Sequence, residues 1–209
     1  MPKHVCTEER FLKDVSDHAM TVICDIGVNR CIHFAAKKNA WNMHFTLITW
    51  PGHLCISGDM GTFVFYRLPD MFEFFRTRHQ ERLPINPHYW EEKCEADDRC
   101  MGGTREYDDE RFKQCVKQDF DCAFEDSEDE NAKARCWSAI KDEVLCAENE
   151  YEAHTKARDF EFEGFSFQDF WEHNLRSHTY HYIWCCYAIV WGIRQYDNAA
   201  KPDVEVSHA

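Results

Sequence analysis

No apolar run in this 209-residue chain is long enough to cross a membrane. The longest, Ile183 to Ile193, is about half of the roughly 20 residues that a helical span requires. The opening MPKHVCTEERFLKDV also has charges where the apolar core of a secretory signal would sit, so the expectation is a soluble, cytoplasmic protein. The usual chemical signatures are missing too. Neither GxGxxG nor GxxxxGK occurs, which removes the standard phosphate cradles. Neither CxxC nor HExxH occurs, so no familiar zinc motif is present, and the expectation is no cofactor and no metal. There is no basic stripe to release counterions from phosphates, which argues against direct contact with nucleic acid. These absences leave a protein that acts by binding, with no catalytic residue assigned.

The chain does have the material for a core: 44% of its residues are apolar and 15% aromatic, which excludes wholesale disorder. Of its twelve cysteines, Cys24, Cys31, Cys55, Cys136, Cys146 and Cys185 lie inside apolar patterns, and the set reads as reduced thiols, the buried ones packing like small hydrophobes. The net charge is −14, and it is unevenly distributed. Residues 95–163 hold 22 acidic and 10 basic side chains, so nearly all of the imbalance lies in one third of the chain. Such a field repels nucleic acid and anionic membrane and attracts basic surfaces.

The spacing predicts an α+β fold. Thr7 caps a short helix over Glu8 to Ala19. Four to five antiparallel strands then form a meander over residues 20–68, with Gly58 and Gly61 supplying positive φ angles in the turn before Thr62. Asp70 opens a docking helix over residues 70–80. An acidic helical section comes next at 95–163, including one long helix from Ala132 to Ala157 with Trp137, Ile140, Val144 and Tyr151 on its buried stripe. Ser166 and Asp169 have the shape of a capping box for a core helix over 166–197, which is apolar all round at its C-terminal end and therefore buried. Residues 1–200 read as a single domain, and 201–209 as a disordered tail.

Four groups of residues are candidates for function. Asp119, Asp121, Glu125, Asp126, Glu128, Asp129 and Glu130 fall in a stretch without a basic residue between Gln118 and Ala132; they form either a solvated face or a surface that mimics phosphates and enters a basic groove. His178, His181 and Cys185, at spacings of three and four, share one face of the last helix, with His173 as a fourth ligand only if that helix bends; they are a weak zinc alternative to ordinary core packing. Asp59 with His44 or His53, and Arg67 nearby, could form a small hydrolytic site on nucleotides or nucleic acid, although Asp59 in a glycine turn ordinarily stabilises the turn itself. Arg67, Arg76, Arg78 and Arg82 make a basic cluster, read as pairing with the acidic half in preference to holding an external anion.

Met20-Thr21-Val22 to Phe34, the run WPGHLCISGDMGTFVF, the segment RLPDMFEFFR and the C-terminal YHYIWCCYAIVWGIRQYD together resemble an uncharacterised family found in phages and prophages. The resemblance covers about a third of the chain and leaves the acidic section outside it. It carries no catalytic residues. It implies a small protein of a mobile element, and with the acidic section it points to a non-enzymatic inhibitor of a host defence protein, of the anti-CRISPR or anti-restriction type. The partner would be a host protein with a basic, nucleic-acid-binding surface. A homo-oligomeric structural protein is the remaining reading.

Overall fold

The chain builds two separate cores. The computed structural model describes residues 5–38, 40–77 and 81–200, apart from the side chain of residue 200. Of the described residues, those up to 104 and from 178 onward make up one compact unit, and residues 105–177 another. The predicted tail at 201–209 and Arg78 of the basic cluster lie outside the described residues.

The first unit is a six-stranded antiparallel sheet in simple sequential order, with a C-terminal helix packed on one face. Its strands are β1 (His18–Ile26), β2 (Asn29–Ala36), β3 (Phe45–Trp50), β4 (His53–Gly58), β5 (Gly61–Tyr66) and β6 (Cys94–Asp97). The meander therefore has one strand more than predicted. β6 comes after a short helix, α3 (Pro87–Glu91), and its sequence Cys94-Glu95-Ala96-Asp97 shows no apolar run because it is an edge strand, mostly exposed. Charged side chains on such an edge discourage further strand pairing.

Alternation divides the sheet into two unlike faces. Ile32, Leu47, Ile56 and Phe63 face one another across four strands, and all four are fully buried. Burying a side chain of this kind contributes about 1.5–3 kcal/mol relative to leaving it in water. The opposite face carries rows such as Cys31–Ile48–Cys55–Val64 and His33–Thr46–Ser57–Thr62, which contain no charged residue.

The buried face is covered by α7 (Tyr180–Ala200), along which Tyr182, Trp184, Cys185, Cys186, Ala188, Ile189, Val190 and Ile193 are buried. Its backbone comes so close at Gly192 that an added Cβ would lie 2.9 Å from Leu47 and 3.2 Å from Phe34. Phe11 of α1 (Glu8–Asp14) packs edge-on against Trp184 at 5.1 Å, and the Trp184 indole donates to Asp14 at 3.1 Å. α1 is shorter than predicted because the strand begins at His18. The docking helix α2 (Met71–Phe75) is capped by Asp70 as expected.

Two sequence expectations at turns and caps give way here. Gly58 is not in the left-handed region; it is required because its backbone lies against that of His44, while Gly61 alone takes the positive φ, at +99°. Ser166 and Asp169 do not open the last helix. Ser166 is paired in a small hairpin, Thr179 caps α7 by accepting from the Tyr182 N–H at 3.1 Å, and the helix starts only at Tyr180.

In the second unit, β7 (Arg105–Tyr107) pairs with β10 (Arg176–His178) where the chain enters and leaves. Between them lie α4 (Asp109–Ala123), α5 (Glu130–Glu143), α6 (Glu150–Asp159) and the hairpin of β8 (Glu161–Phe162) with β9 (Phe165–Ser166). The predicted long helix is two helices. Asn149 caps α6 by accepting from the Glu152 N–H, and Glu152 in turn accepts from the Glu148 N–H. Tyr151 consequently sits on the solvent side, 79% exposed, instead of on a buried stripe. The core of this unit contains Phe112, Val116, Phe120, Ile140, Val144, Phe160, Phe167, Phe170 and Leu175. Among the described residues no helix is long and apolar enough to cross a membrane.

Candidate functional site

The acidic unit holds 21 acidic and 10 basic residues, a net of −11 out of −14 for the whole chain. Its cations are largely neutralised where they stand. Lys113 pairs with Asp109 and Glu110, Lys117 with Asp121, Arg135 with Glu163, Arg158 with Asp159, and Arg176 with Glu150. Most of these pairs are exposed and add little to stability, but they leave the remaining acids unbalanced.

The seven predicted partner-binding acids divide according to helix geometry. α4 turns its buried stripe, Phe112, Val116 and Phe120, into the core. Asp119, at the edge of that stripe, is turned toward His173, whose Nε2 lies 2.9 and 3.0 Å from the two carboxylate oxygens. His173 comes directly after a single 3₁₀ turn, Phe170–Glu172, anchored by the buried Phe170, against whose ring the imidazole rests at 5.0 Å. Asp121 is paired with Lys117 four residues back. Asp129 is the N-cap of α5, accepting from the N–H groups of Asn131 and Ala132 at 3.0 and 2.9 Å. Glu130 lies in the first turn of that helix, where its charge complements the helix dipole, and pairs with Lys133 at 4.0 Å. Glu125, Asp126 and Glu128 are left in the connecting turn; all three are exposed, and among the described residues they make no ion pair. Caps and pairs thus account for four of the seven acids, and three project freely.

Beside Asp119 the unit opens a cleft of about 240 Å³. It is lined by Asp119, Cys122 and Ala123 from the end of α4, by Phe165 and Ser166 from the hairpin, and by the adjoining Phe167 and Gln168. The hairpin is a two-residue turn, Glu163-Gly164, with both φ angles positive, at 48° and 86°, the geometry a tight antiparallel connection requires. It places Phe165 and Phe167 edge-to-face at 5.1 Å. The Gln168 amide donates to the Ser166 hydroxyl at 2.9 Å. Sequence reasoning misses this cleft because it is made by two segments more than 40 residues apart. The only local signal is the Glu163-Gly164 turn, which reads in the sequence as a helix end.

Of the other predicted sites, the structure brings together, among the described residues, only Asp59 and His44, through a backbone bond from the Asp59 N–H to the His44 carbonyl at 3.0 Å. His178 ends β10, outside the helix that holds His181 and Cys185, and approaches Glu91 at 3.2 Å; Cys185 is buried with its thiol on the Met60 carbonyl. Burial raises the Cys185 pKa well above its ordinary value, which disfavours the thiolate a metal would need. Among the described residues no three His, Cys, Asp or Glu side chains are placed to hold a metal.

His53 and Asp59 stand at opposite ends of β4, roughly 20 Å apart at about 3.3 Å per residue. His53 lies flat on Trp50 at 4.9 Å, with Glu95 at 3.4 Å, and the backbone N–H of Arg67 bonds Gly52 at the same end. The Asp59 carboxylate accepts from the Met43 N–H at 2.9 Å, holding the preceding loop beside His44.

The basic cluster does not dock the acidic section as predicted at Arg76. That guanidinium forks onto Asp197 of α7 at 2.7 and 2.8 Å and also meets Glu73, all within its own unit. Comparison with protein-family models, with curated proteins and with solved structures found no match to this chain.

Proposed function

We propose that this protein is a non-catalytic inhibitor that occupies the basic, nucleic-acid-binding surface of another protein with its acidic unit. The observation that carries the reading is the segregation of charge: −11 on 73 residues, with Glu125, Asp126 and Glu128 exposed and unneutralised on one turn. Electrostatic complementarity of this kind steers association and sets the partner class. The phage-family resemblance narrows that class to a host nuclease or surveillance complex, of the restriction or CRISPR kind.

The test is capture from host lysate on immobilised full-length protein, with mass spectrometry of the captured protein and measurement of its DNA binding. A nucleic-acid-handling partner is expected, released roughly tenfold or more between about 0.1 M and 0.5 M salt as screening shortens the range of the field. Its DNA binding should be blocked by the native protein and restored when Glu125→Gln, Asp126→Asn and Glu128→Gln are combined. Affinity indifferent to salt, or inhibition untouched by the triple variant, would overturn the reading.

A further inference from the structure

The cleft at the end of α4 has a lining suited to one kind of guest. It contains one carboxylate, two phenyl rings, a hydroxyl, a thiol and a carboxamide, and no lysine or arginine. His173 is bound through a single N–H, which leaves lone pairs unused on a carboxylate that has about four acceptor sites. Because Gln168 spends its amide N–H on Ser166, its carbonyl oxygen remains an acceptor. Phe165 and Phe167 line the cleft, and a cation held beside an aromatic ring gains energy, more so where water is partly excluded.

At about 240 Å³ the cleft is smaller than the roughly 300 Å³ at which sites for drug-sized molecules begin, which suits a single side chain better than a whole small molecule. A guanidinium and the methylenes next to it displace about four or five waters of ~30 Å³ each, which does fit. A flat, delocalised cation that stacks on rings while forking onto a carboxylate is the side chain of arginine rather than lysine.

We propose that this cleft is a socket for a single arginine side chain presented by the partner protein. The inference rests on the reading of the acidic unit as the partner-binding surface and names where that surface gains specificity. The turn at Glu125, Asp126 and Glu128 attracts a basic partner from a distance; the socket, one helical turn back along the chain, takes one of its arginines.

The experiment is a titration of the full-length, ¹⁵N-labelled protein with N-acetyl-arginine methylamide, with the neutral isostere N-acetyl-citrulline methylamide as a second arm. Arginine is expected to shift the backbone resonances of Cys122, Ala123 and Ser166 to Gln168, saturating in the millimolar range, and citrulline is expected to shift none of them. Asp119→Asn should abolish the arginine shifts. Since that change also weakens the contact with His173, a second variant is needed. Ala123→Trp fills the mouth from an exposed position, leaves the Asp119–His173 pair in place, and should likewise abolish them. Equal shifts with citrulline, arginine shifts that survive Ala123→Trp, or no localised shifts at all would overturn the socket. Failure here together with loss of partner capture in the acidic triple variant would remove the socket alone. Arginine binding with an unaffected triple variant would remove the electrostatic reading instead.

Discussion

At Gly58, a Cβ would stand 2.1 Å from the His44 carbonyl oxygen and 2.7 Å from the Phe45 Cα, both backbone atoms that cannot turn aside. Gly58→Ala is therefore expected to cost about 3 kcal/mol or more, read as a lower urea midpoint with an unchanged slope. Arg30 and Asp70 show the same dependence on a single position. The guanidinium, only 10% exposed, forks onto Asp70 with two 2.9 Å bonds and lies 4.6 Å from the Phe72 ring. Burial pushes the Asp70 carboxyl upward, but the Arg30 hydrogen bonds, the Phe72 N–H and the nearby cations outweigh it and hold the pKa below the ordinary value. A carboxyl lowered on folding contributes stability that is present above its unfolded pKa of about 4 and is lost as pH falls through the folded value. Asp70→Asn should therefore lose about 3 kcal/mol at neutral pH, since it leaves a buried guanidinium with one partner fewer. It should also show a shallower fall in urea midpoint than the native protein between about pH 5 and pH 2. A parallel fall in both proteins would mean that Asp70 is not part of the acid response.

Among the elements, the helices of the acidic unit are set by their caps. Asp108, Asp129 and Asn149 each accept a hydrogen bond from a backbone N–H in the first turn of the helix they precede, which is why α4, α5 and α6 begin where they do. The pattern Asn149-Glu150-Tyr151-Glu152 is a capping sequence inside what periodicity alone joins into one helix, and it is the signal for the break. Asn149→Ala should cost about 1 kcal/mol, measured as a lowered midpoint in chemical denaturation. It should leave partner capture unchanged, since the cap lies on a different helix from the acidic turn. Asp129→Ala differs: it should cost a similar amount and also weaken capture, because that cap holds the turn displaying Glu125, Asp126 and Glu128.

Across the whole molecule the twelve cysteines are all free, and their exposure orders their reactivity. Cys100, Cys122 and Cys146 are exposed, whereas Cys6, Cys136, Cys185 and Cys186 are buried. Burial raises the Cys6 pKa to about 11, with the neighbouring Asp14 adding to the rise and Tyr180 and Arg10 opposing it. A thiol reagent at neutral pH should label the three exposed residues quickly in the native protein, and the four buried ones only on global unfolding, as tracked by mass spectrometry. Rapid labelling of Cys185 or Cys186 would contradict the packing of α7. Cys122 belongs to the fast group and also lines the cleft, so saturating arginine analogue should slow its labelling severalfold while leaving Cys100 and Cys146 unaffected.

The sequence by itself determined the class of fold, the two-faced strands, the buried C-terminal helix and the concentration of charge. Each of these is a local pattern: alternation at period two, an apolar run without a polar face, a count of acids in a window. What it could not determine were contacts between residues far apart in the chain. The sixth strand is identified by pairing with β5, since its own composition reads as a loop. Two close backbone approaches, at Gly58 and Gly192, exist only once strand and helix are packed. His53 and Asp59 look like neighbours in sequence, and an extended strand holds them apart. Asp119 and His173 look unrelated, and the core of the acidic unit brings them within 3.0 Å beside a cleft. The acidic charge was legible residue by residue; which acids remain free was decided by helix caps, ion pairs and one histidine.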